Sequence, residues 1–196
     1  PENHAAIYSL DQLFMASERW QDLTEILRRE ISMAESDEQM VELQFRLGQV
    51  FEVSLQDMDN AIETYREILT GQPEHEPTLQ SLEMLFTEEV KQEEIAGILE
   101  PLYQMSEQWG KLAGILEVQL RFIEDPHDQL AAIQRIAELY ENNLYDEVQA
   151  FRWWGHAFSV DPLSEMAGAE GERRLCTPSV GFCPTSARWG DPPVYP

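Results

Sequence analysis

Apolar residues recur along this chain three and four positions apart, the spacing of one buried helix face, and no stretch alternates as a half-buried strand would. Residues 4–17 set Ile7, Leu10, Leu13 and Phe14 on one predicted face. Ser17 then stands as a candidate N-cap for a second helix carrying Trp20, Leu23, Ile26, Leu27 and Ile31. Ser36-x-x-Gln39 reads as a capping box opening a third helix that runs to about Val53. Asp57 caps a fourth, which ends near Pro73, since proline cannot continue a helix. Leu79, Leu82, Leu85 and Phe86 mark a fifth, and Ile95, Ile98, Leu99, Leu102 and Tyr103 a sixth. A seventh spans Trp109 to Phe122. Asp125-Pro126, an acid cap followed by proline at the first helical position, opens the eighth. Asp146 caps the ninth, which closes near Pro162. Nine helices joined by short polar turns predict an all-α chain.

The pattern also returns on itself. Residues 13–73 and 102–162, 89 positions apart, share 14 identities among 61 pairs. They include Trp20/Trp109, Leu23/Leu112, Ile26/Ile115, Leu27/Leu116, Arg46/Arg135, Asp57/Asp146 and Ala61/Ala150. A repeat of antiparallel helices with short connections predicts an α-solenoid over residues 1–162. After Pro162 the character changes. Ser164 to Cys176 reads as one more short helix, but Gly168 and Gly171 fall where the earlier copy has Leu79 and Leu82. Five prolines in the last twenty residues predict an irregular tail within 163–196. Neither end carries an obvious polar cap, so the chain is expected to be a segment of a longer array, able to self-associate through its ends. It opens on Pro1 rather than Met, and the true N-terminus is expected upstream.

Charge narrows the partners. Lys and Arg number 13 against 37 Asp and Glu, and all but 3 of the basic and 4 of the acidic residues precede residue 163. That field repels phosphate backbones and anionic membranes and favours a basic protein or peptide. No apolar run reaches the roughly 20 residues of a membrane helix. Cys176 and Cys183 both fall in the tail and leave the compartment open, with a soluble, cytoplasmic chain favoured.

Gln44-x2-Leu47-Gly48-x2-Phe51, Ala61-x3-Tyr65 and Pro73, repeated as Ile133-x2-Ile136-Ala137-x2-Tyr140, Ala150-x3-Trp154 and Pro162, resemble the tetratricopeptide repeat. Gln44 and Ile133 replace its consensus Trp, and the step from Gly48 to Ala61 is one residue longer than usual. The chain is similar in style to the acidic, degenerate arrays of large bacterial tetratricopeptide proteins. The resemblance implies a right-handed superhelix, a concave face that binds peptides or helices, and no catalytic activity. Carried onto this sequence, the groove-lining positions are Phe45, Gln49 and Glu52, then Gln134, Glu138 and Glu141. Family members that clamp a carboxylate use Lys and Asn there, so a basic or helical ligand is expected here. An ordinary solvated helix face is the alternative.

Trp153 stands a quarter-turn from Trp154, where the first copy has Thr64, and is a further candidate contact. Trp20, Trp109 and Trp154 lie on apolar stripes and read as core. His4, His75, His127 and His156 are scattered, without metal-ligand spacing, and Cys176-x6-Cys183 has no second pair. No phosphate-binding glycine loop or nucleophile motif is present, so no enzyme and no cofactor is expected. The expectation is an interaction scaffold, with an architectural segment lacking a peptide ligand as the alternative.

Overall fold

The computed structural model describes residues 4–160, with the backbone alone for 4–8. Nine α-helices follow in the predicted order, with no strand among the described residues. They are α1 (His4–Ala16), α2 (Trp20–Ser32), α3 (Asp37–Gln49), α4 (Met58–Gly71), α5 (Glu76–Thr87), α6 (Gln92–Met105), α7 (Trp109–Gln119), α8 (Pro126–Asn142) and α9 (Glu147–Val160). A π-helical turn, Val50–Leu55, extends α3, and a 3-10 turn, Leu120–Phe122, extends α7. The all-α expectation is met. The predicted helix at Ser164 to Cys176 and the tail after it lie outside the described residues.

Helix starts are encoded locally. Ser36 Oγ accepts from the Gln39 N–H at 3.2 Å, while Gln39 Oε1 accepts from the Glu35 N–H at 3.2 Å. Asp57 accepts from the Asn60 N–H, Asp125 from those of His127 and Asp128, and Asp146 from those of Val148 and Gln149. Each bond satisfies a donor that the first helical turn leaves free. Ser17 is a correction. Its hydroxyl donates backwards to the Leu13 carbonyl at 2.7 Å, so it closes α1 rather than opening α2, whose N-cap is Arg19.

The predicted face of α1 is a second correction. Leu10 and Leu13 are 38% and 58% exposed, whereas Asp11 between them is fully buried. Arg46 decides this: its Nη2 lies 2.8 Å from Asp11 Oδ1 and turns that side of α1 inward. The other oxygen, Oδ2, has no hydrogen-bond partner. Nearby Glu30 has its pKa raised, first by burial and then by Asp11, with Arg46 opposing. Trp20 and Trp109 are half-buried at the starts of α2 and α7, not deep in a core.

The described residues divide into two compact units, one up to residue 102 and one from residue 103. In the first, α1 packs on α2, α2 on α3, α3 on α4 and α4 on α5. Leu23, Leu27, Ile62, Tyr65, Ile68, Leu82, Ile95 and Leu99 are its largest fully buried apolar side chains. Gly48 is buried where α3 meets α4. A Cβ there would clash with the edge of the Tyr65 ring, so only glycine permits this approach without a shift. In the second unit α8 packs on α9, and Ile133, Ala137, Trp154 and Ala157 form a cluster flanked by Leu120, Leu130, Trp153 and Val160.

The 89-residue repeat reappears in the backbone. Glu18 and Glu107 take left-handed conformations at φ 55° and 55°, as do Gln56 and Tyr145 at 54° and 54°. The N–H of Arg19 bonds the Phe14 carbonyl as that of Gln108 bonds Tyr103, both at 2.9 Å. Asp57 N–H reaches back to Phe51 and Asp146 N–H to Tyr140, again both at 2.9 Å. These last bonds span six residues and house the extra residue in the Gly48-to-Ala61 step as a wide turn.

Candidate functional site

Each repeat copy carries the same surface cleft. In the first unit Arg28 and Ile31 of α2, Gln44 and Leu47 of α3, and Asn60, Glu63, Thr64 and Glu67 of α4 line a space of about 220 Å³. In the second, Glu117 of α7, Tyr140 of α8, and Gln149, Arg152, Trp153 and His156 of α9 line one of about 360 Å³. Five positions correspond at the 89-residue offset: Arg28/Glu117, Asn60/Gln149, Glu63/Arg152, Thr64/Trp153 and Glu67/His156. The charges are exchanged. The first cleft sets one cation on α2 against two carboxylates on α4. The second sets a carboxylate on α7 against Arg152 and His156 on α9.

The walls are built the same way but bonded differently. Arg28 lies 5.8 Å over the Phe51 ring, whereas at the equivalent pair Tyr140 Oη donates to Glu117 Oε1 at 2.8 Å. Burial, with the Glu117 bond second, pushes the Tyr140 phenol up to about 12. Behind each cleft a carboxylate accepts from a buried aromatic thirteen residues on. Tyr65 Oη donates to Glu52 Oε2 at 2.6 Å, and Trp154 Nε1 to Glu141 Oε2 at 3.3 Å. Tyr65 is wholly buried, and burial first, then Glu52, moves its pKa well above the ordinary phenol value.

The sequence-selected residues therefore separate. Glu52 and Glu141 are half-buried and tie α3 to α4 and α8 to α9. Phe45 is half-buried, its ring centroid 5.9 Å from Tyr65 and 5.6 Å from His75. That His75 ring is hydrogen-bonded through Nδ1 to Thr78 Oγ1 at 2.8 Å, and burial lowers its pKa. Gln134 is half-buried. Gln49 and Glu138, equivalent positions, are exposed. Trp153 is half-buried, 5.7 Å from the His156 ring, and forms a wall of the second cleft.

Sequence reasoning did not select Glu38 and Glu42, exposed on α3 at helical spacing from Phe45 and Gln49. That spacing was the available signal. Nor did it select the cleft pairs at positions 28/117 and 63/152, whose sign exchange is visible once the two copies are aligned at 89 residues. Among the described residues, no group of three or more His, Cys, Asp or Glu side chains could hold a metal ion. No described helix is long and apolar enough to cross a membrane. What the residues and geometry define is an all-helical protein with an internal repeat and two charge-exchanged clefts. No protein-family model and no curated protein matches this chain.

Proposed function

We propose that this chain is a tetratricopeptide-like α-solenoid that acts as a protein-interaction scaffold and engages a basic peptide or helix. The observation that carries the reading is the pair of repeat-related clefts. Their framework is held constant by the Asp57 and Asp146 caps and by the Glu52–Tyr65 and Glu141–Trp154 bonds. Their linings differ in charge and size. A constant frame with variable lining residues suits recognition of different side chains along one ligand. A basic ligand fits the exposed carboxylates Glu38, Glu42 and Glu138 and the overall charge of −24. Nothing in the clefts pairs a nucleophile with a base, so a binding role suits them better than catalysis.

Titration of the full chain with a fluorescent lysine-rich helical peptide tests this. Affinity should fall with added salt, because screening weakens exposed charge contacts. It should fall further in Glu63→Lys and Glu67→Lys, both lining the first cleft, than in Glu25→Lys, an equal charge change on the exposed side of α2. Equal losses in all three variants would reduce the interaction to net charge and remove the reading. A second reading, an architectural segment without a peptide ligand, is favoured by one observation, the open apolar face of α9.

A further inference from the structure

Val148, Phe151, Gly155 and Phe158 lie three, four and three residues apart along α9 and so share one face. All four are open to solvent, the three apolar side chains at 64%, 46% and 45%. Their counterparts on α4, 89 positions earlier, are Asp59, Ile62, Arg66 and Leu69, and that face is covered. Ile62 and Leu69 are 0% and 3% exposed. The cover includes α6. Glu94 Oε1 meets Arg66 Nη2 at 3.0 Å, and Lys91, just before α6, meets Asp59 at 2.6 Å. Gly97, Ile98, Pro101 and Leu102 of α6 face Arg66, Leu69 and Thr70 of α4 across a narrow cleft.

The same offset says what could cover α9. Positions 93–105 of α6 correspond to 4–16, which is α1. Leu99 and Leu102 correspond to Leu10 and Leu13, the two leucines that α1 leaves exposed at 38% and 58%. One helix of this chain thus carries the uncovered equivalent of the α4 face, and α1 carries the equivalent of α6, where Ser9, Gln12 and Leu13 stand for Ile98, Pro101 and Leu102 and Leu13 is the exposed apolar side chain. In sequence, the apolar pattern of that cover is not repeated after α9. The counterparts of Leu82, Leu85, Ile95 and Leu99 are Gly171, Arg174, Pro184 and Arg188.

We infer that a second copy of the chain is the occupant: α1 of one copy docks on α9 of the next in the manner of α6 on α4, with Leu13 against Phe158 as Leu102 stands to Leu69. This rests on the 89-residue repeat and not on the peptide-binding reading, since the docking face lies beside the cleft residues Gln149, Arg152, Trp153 and His156 without including them. The charged positions of the α4 face, Asp59 and Arg66, are Val148 and Gly155 on α9, so no equivalent of those ion pairs sets the register and the α9 side of the contact is apolar. A head-to-tail contact joins two unlike surfaces, so each copy keeps a free end for the next and assembly runs on into open chains or rings larger than a dimer.

Sedimentation velocity of the full chain from micromolar to near-millimolar concentration tests the inference. The weight-average sedimentation coefficient should climb without a plateau at dimer. Added salt should strengthen the association, because screening relieves the mutual repulsion of two chains of charge −24. Salt weakens the basic-peptide contact, so the failures of the two readings are distinguishable. Leu13→Glu and Phe158→Glu should each stay monomeric, with association at least about tenfold weaker than wild type. An equimolar mixture of the two should form a dimer and nothing larger, because each variant keeps one intact end. Unchanged far-UV circular dichroism establishes that each is folded. Leu13→Ser and Phe158→Ser replace them if either is not. A wild-type chain that stays monomeric, a mixture that stays monomeric, or a dimer indifferent to Leu13→Glu would each overturn the inference.

Discussion

Replacing Tyr65 by Phe removes one atom from the best-buried aromatic of the first unit and nothing else. The ring fills the same space, so no cavity opens. What is lost is the 2.6 Å bond from Tyr65 Oη to Glu52, the tie between the π-helical turn and α4, together with the hydroxyl's weaker hydrogen bond with the Ser81 side chain. Hydrogen bonds to charged groups contribute about 1.5–3 kcal/mol. Glu52 is only half-buried, so water replaces part of the bond and about 1–2 kcal/mol is expected. For a cooperative unit of this size, that corresponds to a Tm lower by roughly 5–10 °C. Urea unfolding followed by circular dichroism measures it. A double-mutant cycle with Glu52→Ala assigns it: Tyr65→Phe should cost far less when the carboxylate is already gone. A loss below about 0.3 kcal/mol, or the same loss in both backgrounds, would refute the assignment of this bond as the tie.

Two further outcomes are expected. Tyr145 is 82% exposed and held at φ 54°, a conformation costing a non-glycine residue about 1–2 kcal/mol, so Tyr145→Gly should stabilise the second unit by up to about 1 kcal/mol after glycine's own entropy; thermal unfolding of the variant measures it, and a lower Tm contradicts the strain. His75 is held below its ordinary pKa of 6.5 by burial. Above that value it is neutral in both states; below it the unfolded chain takes up the proton first, so the contribution of His75 to stability is lost as pH falls from 6.5 through the folded value. Urea midpoints between about pH 5 and 7 should therefore vary less in His75→Gln than in the parent, and parallel profiles would contradict the assignment.

Much of this was legible in the chain itself. The caps Ser36, Asp57, Asp125 and Asp146 bond to donors two or three residues away, so the sequence window that contains them contains the whole interaction. Helix count and order, and every capped start except that of α2, followed from such local chemistry and from the apolar period. The repeat was equally visible, and it foretold the paired left-handed turns at Gln56 and Tyr145 no better than their unlike side chains allow.

Which side of a helix is covered is a different kind of fact. Ile62 and Phe151 hold the same place in the repeat, yet one is 0% and the other 46% exposed, because the cover of α4 comes from residues about thirty positions on. Asp11 is buried through Arg46, 35 residues away, and the leucines beside it are left outside. Glu52 and Glu141 read as free groove carboxylates until Tyr65 and Trp154 come round thirteen residues later to occupy them. Periodicity determines that a helix has an apolar face. Only the tertiary structure decides whether another part of the chain lies on that face, because burial and hydrogen bonding depend on neighbours distant in sequence.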